Sequence, residues 1–186
     1  MTDSRDGPDT PDEILVDQAK AGSEVALNRL VSRHHQTAYR VALGIVRDPE
    51  LAADAAQDGF LKAIQALDRF RGDARFRTWL LTIVGNEARG QVRKRGRRRE
   101  STLDDAGPVA DRAVAVDDGV VVADEARRAR RLLEELPEKQ RLAVQLRLDE
   151  GLSFREVGEV IGSSEGAARV NYHHGIKRLR EMMWKS

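Results

Sequence analysis

Residues 152–183 read LSFREVGEVIGSSEGAARVNYHHGIKRLREMM, and this stretch carries the clearest folding signals in the chain. Ser153 and Glu156 have the spacing of a capping box, so a short helix should begin directly after the serine. Gly162 should end that helix, because glycine readily adopts the left-handed conformation found at helix C-termini. Ser164 then supplies an N-cap for a longer final helix. A short helix, a glycine turn and a longer helix predict a helix-turn-helix.

The longer helix of this motif should bury one face and expose the other. Ala168 and Tyr172 fall on the face that we predict to join the core. The opposite face suits a DNA major groove, where arginine bonds guanine and a helix N-terminus approaches phosphate. With the N-cap serine, its members are Ser164, Glu165, Arg169, Val170, His173 and Lys177. An ordinary solvated helix face has the same pattern, so the motif alone leaves both interpretations open.

The chain upstream of this motif is also patterned for helices. Strand signals are almost absent, and apolar residues recur with the helical period of 3.6 residues. Asp48 and Pro49 supply an N-cap and a first helical residue for the second of three long helices. The predicted buried residues are Leu27, Leu30, Val31, His34, Ala38, Val41 and Ile45 in the first helix, Phe60, Ile64 and Leu67 in the second, and Phe76, Leu80, Ile83 and Val84 in the third. We predict an all-α fold.

Charge is segregated along the chain, although the net charge of the 186 residues is only +1. A basic block from Arg89 to Arg99 precedes an acidic stretch that contains Pro108 and lacks a convincing helical stripe. We therefore predict two small helical domains joined by a flexible acidic linker. The predicted divisions are a disordered tail at 1–11, a first domain at 12–99, the linker at 100–125 and a helix-turn-helix domain at 126–186.

Aromatic residues crowd the segment before the basic block. Residues 70–80 read FRGDARFRTWL, and half of the aromatic residues of the chain are Phe60, Phe70, Phe76 and Trp79. Flat side chains beside cationic grooves bind unstacked bases, so the segment suits single-stranded or flipped-base DNA. Helical spacing favours a core role for three of them. Phe70, in the loop, is the better candidate for a base contact.

Several other classes of function find little support in the sequence. The chain has no cysteine, so it offers no disulfide or thiolate metal site, and a reducing cytoplasm is the expected setting. The histidine pairs at 34–35 and 173–174 diverge on a helix and lack metal-ligand spacing. Phosphate-loop and nucleophile motifs are absent. The apolar runs are too short to span a bilayer, and we predict no enzyme, cofactor, metal or membrane insertion.

In order and spacing, these segments resemble the bacterial sigma factors of the extracytoplasmic-function type, from about Asp12 to Met183. DAAQDGFLKA at 54–63 is similar to their region 2.2. FRGDARFRTWL and the helix that follows are similar to regions 2.3 and 2.4. LPEKQR at 136–141 and GLSFREVGEVIGSSEGAARV at 151–170 are similar to region 4.

The resemblance implies a protein that binds core RNA polymerase, recognises the minus-thirty-five and minus-ten promoter elements and helps to melt DNA. It implies contacts with the beta-prime clamp coiled coil and the beta flap, and with double- and single-stranded promoter DNA; an anti-sigma factor is an expected partner. Polymerase docking is expected of Asp54, Gln57, Asp58, Leu61 and Lys62. Minus-ten recognition and melting are expected of Phe70, Arg71, Asp73, Arg77, Asn86, Arg89, Arg93 and Lys94. The exposed face of the final helix should contact the minus-thirty-five element.

Two departures from the family pattern bear on promoter preference. Gly90 stands where members often have aspartate, and Asn171 stands where a basic residue is common. The promoter preference of a relative therefore cannot be assigned to this chain. About 26 flexible linker residues span roughly 25–30 Å when relaxed, whereas promoter elements two helical turns apart lie roughly 70 Å apart. The polymerase should therefore draw the linker out.

Two other interpretations of the sequence remain. One is a free-standing helix-turn-helix regulator that binds duplex DNA as a dimer. The other is a structural helical protein with a solvated basic tail. The aromatic loop and the segment at 54–63 favour the sigma factor, because a simple repressor needs neither melting residues nor a polymerase-docking face.

Overall fold

The structure is a computed structural model that describes residues 10–101, 128 and 131–185, with side chains described for 10–97, 128 and 131–184. These residues are helical and contain no strand, which confirms the all-α prediction. The helices are α1 (Asp12–Lys20), α2 (Glu24–Val46), α3 (Pro49–Gln65), α4 (Phe76–Ser101), α5 (Glu138–Leu148), α6 (Phe154–Ile161) and α7 (Glu165–Lys185), with a 3-10 turn at Leu67–Arg69. Residues 131–134 are also helical. Most of the predicted tail and linker lies outside the described residues.

The N-terminal domain packs α1 to α4 around one apolar core. Asp48 caps α3 as its sequence predicts, because its Oδ1 accepts hydrogen bonds from the backbone N–H groups of Glu50 and Leu51. Helices α3 and α4 approach closely where Gly59 faces Val84: a Cβ at Gly59 would lie 2.5 Å from Cγ2 of the valine. This close approach fixes the position of α4, which carries the basic block.

Helix α1 is anchored to α2 by a buried polar cluster. His34, predicted for the core, is 5% exposed, and its Nε2 lies 2.7 Å from Oδ2 of Asp12. Arg33 bonds the other oxygen of this carboxylate, at 2.6 Å, and the carbonyl of Thr10, at 2.8 Å. Thr10 belongs to the predicted disordered tail, yet it is buried by these contacts. Thr10 is therefore packed against α2 in the described structure.

One predicted core residue is exposed. Ile64 was expected on the buried stripe of α3 but is 37% exposed. It lies about 100° around the helix from Ala63, which points at the centre of the core, so it falls at the edge of the buried face. Leu67 is buried as predicted, although it belongs to the 3-10 turn and not to α3. The exposed side of α3 therefore gains an apolar residue.

Helices α5 to α7 form the predicted helix-turn-helix domain. Both halves of the capping box are present: Ser153 Oγ accepts from the N–H of Glu156, and the glutamate accepts from the N–H of Ser153 at 2.8 Å. Gly162 ends α6 with φ of 64°. The turn is tight because a Cβ at Gly158 would lie 2.8 Å from the carbonyl oxygen of Ser163. The local signals at 152–183 therefore produce the structure that they predict.

The two domains pack against each other and share one apolar core. A Cβ at Gly44 of α2 would lie 2.8 Å from Cδ2 of Leu142 of α5. Beside this contact, Arg141 is 3% exposed; its Nε donates to the Gly44 carbonyl at 3.1 Å, and its Nη1 donates to the Leu136 carbonyl at 2.7 Å. Burial lowers the pKa of Arg141 to about 10, so it stays charged near neutral pH. This interface had no counterpart in the sequence prediction.

Candidate nucleic-acid interface

Helix α4 presents one stripe of residues to the C-terminal domain. Thr78, Gly85 and Arg89 are seven and four residues apart, which places them on one side of a helix. Thr78 Oγ1 donates to Oε1 of Glu156 at 3.1 Å, and Arg89 Nη2 donates to the Val160 carbonyl at 2.9 Å. A Cβ at Gly85 would lie 3.3 Å from the same carbonyl, so the two helices are in close contact.

A second stripe of α4 lies roughly 60–100° around the helix from that contact. Trp79, Asn86 and Arg93 are seven residues apart and therefore succeed one another along one face, about 10.5 Å per step. Asn86 and Arg93 are exposed, and Lys94 is exposed beside them. Trp79 is partly buried, with its ring centroid 4.9 Å from that of Phe70. The loop aromatic, the exposed amide and the basic block thus follow one line on the surface.

The aromatic segment divides between core and surface. Phe60 and Phe76 are buried, in agreement with their predicted core role. Phe70 is partly buried against Phe76 and Trp79, at centroid distances of 5.9 and 4.9 Å. Lys20 fixes the loop, because its Nζ donates to the Phe70 carbonyl at 2.6 Å and lies 5.8 Å from the ring centroid. A base that stacks on Phe70 would therefore meet a ring already held in place.

Arg71 and Asp73 occupy the exposed part of the same loop. The Arg71 Nη2 lies 2.8 Å from Oδ2 of Asp73, and both side chains are largely solvated. A surface ion pair of this kind is weak, so the arginine can exchange its carboxylate partner for a phosphate. The loop thus presents an arginine, paired with an aspartate, beside the aromatic cluster.

The structure gives Arg77 and Arg89, two of the predicted minus-ten residues, partners in the C-terminal domain. Arg77 donates to the carbonyl of Glu150, and its Nη1 lies 3.7 Å from Oε2 of that side chain. The same carboxylate, 10% exposed, accepts from Thr37 and pairs with Arg40. Arg89 donates to the Val160 carbonyl, and its Nε lies 3.4 Å from Oε1 of Glu138. The packed domains therefore leave both arginines only partly exposed and engaged with protein partners, an arrangement that no local sequence pattern indicates.

The predicted docking residues share the exposed side of α3. Asp54, Gln57, Asp58, Leu61 and Lys62 are all exposed, and the buried side of the helix holds alanines, Gly59 and Phe60. The Lys62 Nζ lies 2.7 Å from Oε1 of Glu87 on α4. Two apolar side chains, Leu61 and Ile64, are partly exposed on the same surface, although Ile64 was predicted for the core. The surface therefore combines two carboxylates with two apolar groups. Such a mixture suits a protein partner.

The predicted recognition face of α7 is exposed throughout: Ser164, Glu165, Arg169, Val170, His173 and Lys177. Ser164 Oγ accepts from the N–H of Ala167 at 3.2 Å, which confirms the predicted N-cap. On the opposite side Ala168 is buried, and a Cβ at Gly175 would lie 2.7 Å from Cγ2 of Val144. Asn171 donates to the Ala167 carbonyl at 2.8 Å, so its amide is engaged by its own helix.

Other kinds of site are not found in the part of the chain that the structure describes. Residues 10–97, 128 and 131–184 contain no group of three or more histidine or acidic side chains placed to hold a metal ion. None of the described helices is long and apolar enough to cross a membrane. The remaining candidate functional groups are the basic side chains of α4 and the exposed face of α7, and both suit binding to nucleic acid. Together with the helix-turn-helix, they define a DNA-binding protein with two helical domains.

Comparison with known proteins identifies the family. Residues 30–98 match Sigma-70 region 2, and residues 126–179 match Sigma-70, region 4. The RNA polymerase sigma-H factor of Pseudomonas aeruginosa is 32% identical over 183 residues, covering 94% of this chain and 93% of that protein. The ECF RNA polymerase sigma-E factor of Escherichia coli is 31% identical over 166 residues, covering 85% and 86%. The chain therefore belongs to the RNA polymerase sigma factors of the extracytoplasmic-function (ECF) type.

Solved structures share the fold of this chain. CnrH, in complex with the cytosolic domain of CnrY, superimposes with a TM-score of 0.65 at 26% identity, covering 94% of this chain and 98% of that one. The sigma factor RpoE from Bartonella quintana, in complex with the anti-sigma factor NepR, shares the fold, with a TM-score of 0.71 at 23% identity over 84% of this chain and 95% of that one. The family matches and the two sequence relatives confirm the predicted role in transcription initiation and do not favour the free-standing regulator.

Proposed function

We propose that this sigma factor docks on core RNA polymerase through the exposed side of α3. The docking set is Asp54, Gln57, Asp58, Leu61 and Lys62, and Ile64 extends it. Its support is the shared exposure of these side chains beside a fully packed opposite face. The beta-prime clamp coiled coil is the proposed receptor, and the beta flap should receive the C-terminal domain. The protein then works in the cytoplasm, where its polymerase is found, and as a transcription factor it has no catalytic residues.

The minus-ten element should bind along the exposed stripe of α4. The observation that supports this most directly is the line from Phe70 through Trp79 and Asn86 to Arg93, which brings an aromatic cluster, an amide and cations together. A base that leaves the stack would lie against Phe70 and within reach of Asn86, and the arginines would hold the backbone. Arg71, Asp73 and Lys94 border this line.

Promoter binding should require the two domains to separate. Arg77 and Arg89 can reach DNA only after they leave Glu150, Glu138 and the Val160 carbonyl. Promoter elements two helical turns apart are separated by roughly 70 Å. Two domains in direct contact could not reach both elements at once. The polymerase would supply the energy for separation by binding each domain at its own site. The packed arrangement is then the state before docking.

An anti-sigma factor is a proposed partner of the packed state. The sigma factor RpoE of Bartonella quintana, which shares the fold of this chain, has been solved in complex with the anti-sigma factor NepR. A partner that stabilised the contact between the domains would keep Arg77 and Arg89 sequestered.

Run-off transcription with purified core polymerase tests the proposed function. The full-length protein should direct initiation at discrete sites on genomic templates, and core polymerase alone should not. Tight binding of the isolated protein to duplex DNA, without initiation on any template, would support a free-standing regulator instead. A C-terminal domain that bound neither DNA nor polymerase would leave only a structural role.

A further inference from the structure

Two arginine side chains lie against the ring of Phe154, the first residue of α6. The Cζ of Arg169, on α7, lies 4.7 Å from the ring centroid. The Cζ of Arg147, on α5, lies 5.1 Å from it. Tyr172 and His173 contact the same ring at centroid distances of 5.5 and 6.4 Å. Phe154 therefore joins all three helices of the domain, and the two guanidinium groups are gathered on it.

The ring restricts an arginine that would otherwise be mobile. The Arg169 side chain is about half exposed, and an arginine in water loses much rotamer entropy when a ligand fixes it. Here the guanidinium lies over the ring, and its Nη2 lies 3.1 Å from Oε1 of Glu165. A guanidinium is planar and weakly hydrated, so it stacks well on an aromatic face. The contact therefore restricts the Arg169 side chain in the free protein, so less rotamer entropy is lost when DNA binds.

Arg147 carries a charge that the described residues do not neutralise. Its Nη1 donates to the Leu152 carbonyl at 2.8 Å, and it forms no ion pair with any residue of 10–97, 128 or 131–184. The Phe154 ring thus carries two guanidinium groups, and Glu165 pairs with one of them. The other, Arg147, can attract a phosphate of the DNA backbone.

We propose that Phe154 is a positioning residue that presents Arg169 to a base edge of the minus-thirty-five element, and that Arg147 is a further DNA contact, made to a backbone phosphate. Arg169 takes the base because it lies one turn into the recognition helix, where side chains reach the groove floor. Arg147 takes the phosphate because it lies on α5, outside that helix. The inference rests on the proposed binding of upstream DNA by α7.

The experiment uses holoenzyme reconstituted from purified core polymerase and the full-length chain. Wild type and variants select from a duplex library randomised over the upstream element, and affinities of selected duplexes are measured at several salt concentrations. Phe154→Leu removes the aromatic face and keeps an apolar side chain, whereas Phe154→Tyr retains the face. Arg169→Ala removes the predicted base contact. Arg147→Gln is compared with Lys139→Gln, which removes an exposed charge from the same helix about two turns away.

Phe154→Leu should relax preference at the one or two positions that Arg169→Ala relaxes, and should weaken binding about two- to fivefold. Phe154→Leu combined with Arg169→Ala should relax base preference no further than Arg169→Ala alone, and Phe154→Tyr should behave as wild type. Arg147→Gln should weaken all sequences alike and lower the salt slope by about one unit, with Lys139→Gln unchanged.

An unchanged base preference in Phe154→Leu, where Arg169→Ala has lost it, overturns the positioning role. A lower melting temperature with uniform loss of affinity has the same meaning, because it shows that Phe154 acts only on the fold. An unchanged salt slope in Arg147→Gln overturns the phosphate contact. If wild-type holoenzyme selects no sequence and starts no transcript, the proposed function fails instead.

Discussion

Thr78 of α4 and Glu156 of α6 are joined by a buried hydrogen bond of 3.1 Å, although 78 positions separate them in the chain. Glu156 is also the acidic half of the capping box that starts the helix-turn-helix. Burial opposes its ionisation, but hydrogen bonds from Ser153 and Thr78 and the charge of Arg75 hold the pKa of Glu156 below its usual range. One carboxylate thus serves both the fold of one domain and its contact with the other.

Removing the carboxylate of Glu150 should loosen the contact between the domains. Glu150→Ala leaves Arg40 and Arg77 without their shared partner, and loss of a largely buried charge partner is costly. We expect a larger radius of gyration in small-angle scattering and faster proteolysis between the domains. The control is Glu159→Ala, which removes only a surface pair with Arg155. Identical scattering of both variants would mean that Glu150 does not hold the domains together.

A covalent link between the domains should block initiation if they must separate. Thr37 Oγ1 lies 3.0 Å from Oε2 of Glu150, and the chain has no cysteine, so Thr37→Cys with Glu150→Cys introduces a single pair of thiols. A short cleavable thiol cross-linker should abolish run-off transcription, and a reductant should restore it. Each single cysteine variant, treated in the same way, is the control. Full activity of the linked protein would show that separation is unnecessary.

Reversing a charge on α3 should weaken polymerase binding without unfolding the domain. Asp58 is exposed, so Asp58→Arg should change stability by no more than about 0.5 kcal/mol. We expect a clear loss of affinity for core polymerase in Asp58→Arg and a smaller loss in Gln57→Ala. Asp17→Arg, on the exposed side of α1, is the matched control. The docking assignment is wrong if Asp58→Arg binds core polymerase as tightly as that control does.

Asn86→Ala and Phe70→Ala should impair strand opening more than initial promoter binding, because a flipped base loses its pocket only after the strands part. Asn86 is exposed, and its replacement should leave the fold unchanged, which makes it the cleaner test. Phe70→Ala also removes contacts with Phe76 and Trp79 and should lower the melting temperature. Permanganate reactivity of unpaired thymines measures the opening. Normal reactivity in both variants would count against this site.

Two glycines of the N-terminal domain should respond oppositely to alanine. A Cβ at Gly59 would lie 2.5 Å from Cγ2 and 3.0 Å from Cα of Val84, so Gly59→Ala should cost about 1–3 kcal/mol by overpacking. A Cβ at Gly90 meets only Nη2 of Arg93, at 3.9 Å, so Gly90→Ala should add about 0.5–1 kcal/mol by reducing the entropy of the unfolded chain. Urea unfolding of both variants measures the difference. Equal effects would show that the close approach of α3 and α4 does not matter for stability.

The sequence by itself determined the helices, their caps and the order of the domains. Ser153 with Glu156, Asp48 with Pro49, and Gly162 each act within one turn of backbone, so their effects can be predicted from neighbouring residues alone. The exposed sets on α3 and α7 were predicted for a related reason, since helical spacing places their members on one face. The prediction that Ile64 is buried was wrong, because the exposure of a residue at the edge of a buried stripe depends on which neighbouring element covers it.

Only the tertiary structure decided which of the predicted contact residues are free. Arg77 and Arg89 carry the same charge as Arg93, yet only the first two meet Glu150 and the Val160 carbonyl. The fit of Gly44 against Leu142 and the gathering of Arg147 and Arg169 on Phe154 have the same origin. These contacts join residues on different helices, and their existence depends on the docking of whole surfaces, which the spacing of residues within one helix does not specify.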